Sequence, residues 1–210
     1  MTSRRGDDPR ESGIRHFTHL GSSLFPFSPD KRRINVVDIW WSRAETHPMS
    51  SNRRGRVVAG HDVNAYLARH VPITQAMGIR MRSFDAAGVT MTAPLKPNIN
   101  DKGIAFGGTL ASILALSGWA LADLVLREAG EVADVFIAVG TTEYRAPVSG
   151  RIVARCPLPP PEELSAFLAA YRLRGRARLK LDAFIETKTG PAALFHATYL
   201  ARRPGKPIKL

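Results

Sequence analysis

The arrangement of apolar and polar residues divides the chain into two unlike parts. From Asp62 onward, apolar residues recur with helical or strand periodicity, and glycines and prolines separate the segments. The pattern predicts, in order, a short helix at 62–69, a hairpin across 79–93, a long apolar helix from about Gly108 to Ala129, strands at about 135–145 and 150–157, a short helix at 161–170, a strand that begins with the alternating residues 172–180, and a last strand at 192–202.

These elements amount to about six antiparallel strands and one long helix that is apolar on nearly every side. An antiparallel sheet must cover its inner face, and only this helix is large enough to do so. The sequence therefore predicts an α+β fold in which the sheet wraps around one long central helix, within a domain of residues 59–210. The uncharged stretch 104–122 is nearly long enough to cross a membrane, but we interpret it as the buried core helix and expect no membrane span.

Cationic residues occupy every second position after the predicted short helix. Because side chains alternate between the two faces of a strand, this spacing indicates a strand with one basic and one apolar face. The basic residues are Arg172, Arg174, Arg176, Arg178 and Lys180.

Residues 1–58 carry many arginines but have neither helical nor strand periodicity, and Gly, Ser and Pro interrupt them throughout. This composition favours a basic, disordered N-terminal extension. A translation start further downstream, at Met49 or nearby, is the alternative.

The net charge of +12 suggests an acidic partner, for which nucleic acid, an anionic membrane surface and an acidic carrier protein are candidates. A single cysteine, Cys156, excludes an internal disulfide framework and a cysteine-rich zinc site. No pair of histidines has metal-site spacing, so we expect no metal. With no apolar signal region at the N-terminus, we expect a cytoplasmic protein.

The segment from Asn98 to Trp119 carries the candidate chemistry. A polar loop containing Asn98 and Asn100 runs through Gly107 and Gly108 directly into the apolar helix. Glycines allow a ligand to approach the backbone, and the first turn of a helix offers unpaired N–H groups to negative charge. This layout is typical of a site that polarises a carbonyl oxygen.

Several motifs resemble the hotdog-fold thioesterase family of the YiiD C-terminal domain type, across about residues 62–203. They are Ala93-Pro94-Leu95, Pro97-Asn98-Ile99-Asn100, Gly103, Ala105-Phe106-Gly107-Gly108-Thr109-Leu110, Gly118-Trp119, Tyr144-Arg145-Ala146-Pro147-Val148-Ser149-Gly150 and Gly175-Arg176-Ala177-Arg178-Leu179.

The resemblance implies action on acyl thioesters of coenzyme A or acyl carrier protein, and hence a link to fatty acid metabolism. It also implies a homodimer with the substrate channel between subunits and Tyr144 near the partner's site. No cofactor is implied beyond the coenzyme A or phosphopantetheine of the substrate. The basic residues Arg172, Arg174, Arg176 and Arg178 would suit an acidic carrier protein or the phosphates of coenzyme A.

The predicted catalytic groups are Asn98, Asn100, Gly107, Gly108, Thr109 and Tyr144, and Phe106 and Ser112 are predicted to contact substrate. The glycines and Thr109 would supply backbone N–H groups, the asparagines would orient the substrate, and Tyr144 would donate to the thioester oxygen. The alternatives are that the glycines permit close packing, that the asparagines form turns, and that Tyr144 is an aromatic core residue.

Two reactions are consistent with such a site. Many hotdog thioesterases carry an acidic residue two turns into the central helix, where this chain has Ala115, and often a histidine where it has Phe106. These differences count against carboxylate-driven hydrolysis and favour a malonyl-acyl-carrier-protein decarboxylase. Members related to this family resemble such decarboxylases as well as thioesterases. A non-catalytic acyl-carrier-binding module is a further alternative. A nucleic-acid binder is disfavoured because no aromatic–basic recognition motif is present.

Overall fold

A computed structural model describes residues 61–205, and the predicted N-terminal extension over residues 1–58 lies outside them. The described part contains four α-helices, six strands and a short 3-10 turn. They are α1 (Val63–His70), α2 (Ile73–Ala76), β1 (Arg80–Asp85), β2 (Gly88–Ala93), the 3-10 turn Lys96–Asn98, α3 (Gly107–Glu128), β3 (Asp134–Tyr144), β4 (Ile152–Cys156), α4 (Pro161–Arg174), β5 (Arg176–Thr187) and β6 (Gly190–Arg202).

The six strands form one antiparallel sheet in the order β1-β2-β4-β5-β6-β3. Helix α3 packs against the inner face of five of them, β2 to β6, and thirteen of its 22 residues are buried. Residues facing it from the strands, such as Met91, Ile152 and Ile185, complete the core. The predicted architecture, a sheet of six strands around one long central helix, is confirmed.

Helix α3 is apolar nearly all round because the sheet curves about it. By length and composition alone it would pass as a membrane span, and 72% of its most apolar 18-residue window is buried inside the fold. The helix ends at Glu128, and Gly130, with φ of 77°, takes the left-handed conformation that suits a helix terminus.

The prediction that a strand begins at Arg172 was wrong. Helix α4 continues through Arg174, and Gly175 ends it in the left-handed conformation with φ of 66°. Its buried side chains, Phe167 and Tyr171, hold the last turns against the core. Arg172 and Arg174 therefore lie on the helix, and the alternation of basic and apolar residues belongs to β5 only from Arg176 onward.

A buried tyrosine fixes β6 to the middle of the central helix. The hydroxyl of Tyr199 donates to the backbone carbonyl of Ala115 at 2.8 Å. Gly118, one turn further along α3, leaves the space for this ring, since a Cβ there would lie 2.4 Å from the Tyr199 hydroxyl oxygen. The glycine therefore allows helix and sheet to approach closely.

Replacing Gly118 with alanine should lower the free energy of unfolding by about 1–3 kcal/mol, because the added methyl group overpacks the core against Tyr199. This loss should exceed the roughly 1 kcal/mol by which alanine favours a helix over glycine. Urea denaturation followed by circular dichroism measures it. Gly150→Ala is the matched control, since a Cβ there meets no atom within 4 Å. Equal stability of the two variants would contradict the close approach.

Candidate active site

Asn98 holds the loop before α3 in place. It is only 3% exposed, and its side-chain amide donates to the carbonyls of Met77 at 2.8 Å and Pro94 at 2.7 Å. Its Oδ1 accepts from the Thr109 hydroxyl at 3.1 Å, and its backbone carbonyl accepts from Phe106 at 2.7 Å. Both N–H groups of the amide are thus used inside the protein, which gives Asn98 a positioning role.

The first turn of α3 leaves two backbone donors without a partner. The N–H groups of Thr109 and Leu110 both bond the carbonyl of Phe106, and no side chain caps the helix. Among residues 61–205, the N–H groups of Gly107 and Gly108 have no hydrogen-bond acceptor. The helix dipole adds partial positive charge at this position. Of the three donors predicted from the sequence, Gly107 and Gly108 remain available, whereas Thr109 is already bonded.

Asn100 shapes the loop in a different way. Its Oδ1 accepts from the backbone N–H groups of Lys102 at 2.9 Å and Ile104 at 3.2 Å. This is an Asx turn, and Gly103, with φ of 74°, completes it. The Nδ2 of Asn100 makes no hydrogen bond to any described residue, and the side chain is only partly buried. Asn100 therefore keeps a donor that a ligand can use.

Two aromatic side chains flank the glycines. Tyr144 reaches across from the end of β3, and its hydroxyl donates to the carbonyl of Gly107 at 3.1 Å. The Phe106 ring lies against Gly108, where a Cβ would come within 2.3 Å of it. Phe106 and Tyr144 are each 56% exposed, so they leave apolar surface open beside the glycines. The structure thus brings Phe106, Gly107, Gly108 and Tyr144 together.

The helix supplies no general base next to the glycines. Ser112 donates to the Gly108 carbonyl at 2.8 Å, so its hydroxyl is turned back onto the helix. Between Gly107 and Trp119 the helix has no ionisable side chain. Glu143 neighbours Tyr144 on β3, so it points to the opposite face, where its carboxylate pairs with Arg145 at 2.8 Å. Cys156 is fully buried, and burial raises the pKa of its thiol, which makes it inert as a nucleophile.

The predicted basic residues lie away from this cluster. Arg172 bonds Glu131 at 2.9 Å and the Ala129 carbonyl at 3.0 Å, beyond the C-terminal end of α3. The strand register pairs Arg178 with Leu200 of β6, whereas Tyr144 pairs with Ala193. The two positions are seven residues apart along β6, about 24 Å at the rise of an antiparallel strand. Within the chain, the basic residues and the glycines are therefore at opposite ends of the sheet.

Residues 61–203 match the YiiD_C family, described as "Putative thioesterase". The chain belongs to this family. A solved structure of a protein of unknown function from Chlorobaculum tepidum is 34% identical, with a TM-score of 0.64, and the match covers 67% of this chain and 91% of that one. A putative thioesterase from Shewanella oneidensis is 25% identical over 67% and 94% of the two chains, with a TM-score of 0.59.

A thioesterase from Haemophilus influenzae is 16% identical over 67% of this chain and 88% of that chain, with a TM-score of 0.51, and shows the shared fold alone. The predicted hotdog fold and the resemblance to the YiiD_C family are both confirmed. The YiiD_C match begins at His61, close to the predicted domain start at residue 59.

One charged cluster of the YiiD_C domain escaped the sequence analysis. Asp123 is buried on α3, where Oδ2 lies 2.8 Å from Arg127 Nε and 2.9 Å from His61 Nε2, although the histidine contact is not aligned as a hydrogen bond. The spacing of Asp123 and Arg127, four residues apart on a helix, was the available signal. Among residues 61–205, no group of three or more His, Cys, Asp or Glu side chains is arranged to hold a metal ion.

Proposed function

We propose that this protein cleaves or converts acyl thioesters of coenzyme A or acyl carrier protein, using the Gly107 and Gly108 N–H groups as an oxyanion hole. The observation that carries the proposal is the pair of unbonded donors at the start of a 22-residue helix. Attack on a thioester, or loss of CO2 beside one, places negative charge on the carbonyl oxygen. Two fixed N–H groups stabilise that charge at little reorganisation cost.

The groups around the glycines would fix the acyl thioester relative to these donors. Asn100 offers its free Nδ2 to the substrate without adding a negative charge. The exposed rings of Phe106 and Tyr144 cover the acyl chain and the thioester arm. Asn98 and Thr109 hold the loop against the start of the helix and so position the two glycines.

A homodimer would complete this site. Strand β3 lies at one edge of the sheet, and its apolar side chains are exposed, with Val139 at 65% and Ile137 at 44%. An unpaired edge strand is a ready template for another strand. Two copies pairing through β3 about a two-fold axis bury these residues and close the open side of Tyr144.

Thioester hydrolysis is the first candidate reaction because the family is described as thioesterases. Decarboxylation of a malonyl group on a carrier is the second, favoured by the uncharged first three turns of α3. Decarboxylation breaks a C–C bond without removal of a proton, so it requires an oxyanion hole but no general base. An uncharged pocket also avoids repulsion of the malonate carboxylate.

Incubation with malonyl-carrier and with saturated acyl-carriers, while CO2 and free thiol are measured in parallel, tests the proposal. Thiol release from saturated acyl groups supports hydrolysis, and CO2 release without thiol supports decarboxylation. Turnover of neither substrate, nor of the matching coenzyme A thioesters, would contradict the proposed function and favour a non-catalytic acyl-carrier-binding module.

Asn100→Ala should lower kcat/KM at least tenfold, because the substrate loses the Nδ2 donor. The melting temperature should change little, because the turn that Asn100 stabilises is solvent-accessible. Steady-state kinetics together with thermal unfolding measure both quantities. Asp101→Ala is the control on the same loop, since its side chain is 77% exposed and, within residues 61–205, its carboxylate pairs with Lys102 alone. Unchanged kinetics in Asn100→Ala would remove this residue from the site.

A further inference from the structure

An exposed basic patch lies at the end of the sheet where β5 begins. It consists of Arg174 on α4 and Arg176, Arg178 and Lys180 on β5, and all four are exposed. None of them makes a salt bridge or a side-chain hydrogen bond within residues 61–205. Ala170, Leu200 and the three arginines line a cavity of about 520 Å³ there. Three arginines around the cavity and a lysine beside them, none paired with a described carboxylate, indicate a surface for an anionic ligand.

Apolar residues accompany these cations. Leu173 is 82% exposed on the last turn of α4, directly before Arg174, and is the most exposed large hydrophobic residue that the structure describes. Leu200 adds a partly buried apolar wall to the cavity. A free phosphate requires only the cations, whereas a protein helix with acidic and apolar residues uses both kinds of group.

The spacing of the cations also suits a helix. Alternate residues of a strand lie about 6.8 Å apart, which sets the separation of Arg176, Arg178 and Lys180. Carboxylates four residues apart on one helical face lie about 6 Å apart. A row of strand cations can therefore pair with a row of helix carboxylates without large adjustment.

The other end of the same face has a different character. Asp182 lies two residues beyond Lys180 on β5 and pairs with His196 at 2.7 Å, and Glu143 pairs with Arg145. Acidic and basic groups are therefore mixed and paired at this end, whereas the patch contains cations alone. The charge distribution thus confines an acidic partner to the end of the sheet that carries the patch.

The patch lies far from the glycines of its own subunit but near those of a paired one. In the antiparallel pairing of two β3 strands, the Tyr144 end of one strand lies beside the Asp134 end of the other. The register joins Asp134 to Arg202 and Arg202 to Arg176, in the order β3, β6, β5. Three strand spacings, about 14 Å in the plane of the sheet, then separate Arg176 from the partner's Tyr144, against about 24 Å along the sheet within one subunit. The patch and Tyr144 lie on opposite faces, so the arm of a docked carrier would pass around the end of the sheet.

We propose that the basic patch is the docking surface for an acidic acyl carrier protein, and that a carrier docked there delivers its thioester to the active site of the partner subunit. The inference rests on the proposed function and on the β3-paired homodimer. Each dimer then has two such routes, and each route uses residues of both chains.

The first experiment compares kcat/KM for one acyl group on carrier protein, on coenzyme A and on pantetheine. Arg176→Glu/Arg178→Glu should lower the carrier-to-pantetheine ratio at least tenfold. Lys188→Glu, a charge reversal on the β5–β6 turn outside the patch, should leave that ratio unchanged. An equal loss for coenzyme A and carrier substrates would overturn the proposal and indicate a site for phosphates. Unchanged ratios in the patch variant would also overturn it.

The second experiment uses dimers of two differently tagged chains, purified by both tags. One chain carries Arg176→Glu/Arg178→Glu with an intact site, and the other carries Gly107→Pro with an intact patch. If a carrier delivers to the partner's site, this dimer should keep about half of the wild-type activity on carrier substrate. The intact patch of the second chain then serves the intact site of the first, which is one of the two routes. Activity as low as that of the patch-variant homodimer would overturn this proposal. If the wild-type protein turned over no thioester at all, the proposed function itself would be contradicted.

Discussion

Replacing Gly107 with proline should reduce kcat for thioester turnover by about 100- to 1,000-fold while the domain remains folded. Proline removes the backbone N–H of residue 107, one of the two free donors at the start of α3. Loss of one donor from a known oxyanion hole costs about 2.7–4 kcal/mol in the transition state. Proline fits the first helical position, and Phe106, with φ of −65° and ψ of 131°, already has the extended conformation favoured before proline.

Gly107→Ala separates loss of the donor from added bulk. A Cβ at this position would lie 3.5 Å from the Tyr144 ring, an ordinary contact, and the N–H is retained. We expect kcat within about threefold of wild type for alanine, which keeps the interaction that forms in the transition state. Rapid-mixing single-turnover kinetics isolate the chemical step. A proline variant as active as the alanine variant would show that the Gly107 N–H does not contact the reacting oxygen.

Replacing Asn98 with alanine should lower the free energy of unfolding by at least about 3 kcal/mol. The change leaves the buried hydroxyl of Thr109 and the part-buried carbonyls of Met77 and Pro94 without their partner, and removes the side chain of a residue that is only 3% exposed. Each buried polar group left unsatisfied costs about 1–3 kcal/mol. Urea denaturation monitored by fluorescence gives the unfolding free energy.

Asn100→Ala is the matched control for Asn98→Ala, because the two residues have the same side chain and lie two positions apart in one loop. Asn100 bonds only backbone groups of a partly exposed turn, so its loss should cost about 1 kcal/mol or less. Asn98→Ala should therefore show mainly a loss of stability, and Asn100→Ala mainly a loss of thioester turnover. Equal denaturation midpoints would contradict the role assigned to Asn98.

The regular elements were predictable from the sequence because their periodicity reflects burial. The long helix, predicted from about Gly108 to Ala129, lies at Gly107–Glu128, and both strands of the first hairpin lie where the alternation of Met81, Val89 and Met91 indicated. Burial on an inner face imposes a period of about two or 3.6 residues, and that period is visible in one dimension.

Arg172 and Arg174 show where periodicity misleads. Their spacing continues the alternation of β5, yet Phe167 and Tyr171 are four residues apart and bury one face of α4, which extends the helix to Arg174. The left-handed Gly175 then sets the boundary. Tertiary packing of two aromatic residues outweighed a local charge pattern. Nothing within the charge pattern itself marked the boundary between α4 and β5.

The roles of the two asparagines also required coordinates. Asn98 and Asn100 have identical chemistry in the sequence, but only the fold shows that Met77, from a distant segment, accepts from Asn98. The same is true of the glycines. Sequence reasoning identified the donors as a group. The coordinates show that the Thr109 and Leu110 N–H groups both bond the Phe106 carbonyl, so that only those of Gly107 and Gly108 are left without an acceptor among residues 61–205.

The buried Asp123 sets a practical limit on shortening this chain. The His61 ring lies 2.9 Å from the Asp123 carboxylate, and Asp62 caps α1 by accepting from the backbone N–H groups of Asn64 and Ala65. A chain trimmed to Val63 would leave the carboxylate with Arg127 alone and α1 without its cap. We therefore expect a chain shortened for crystallisation to keep its full stability only if it begins at or before His61.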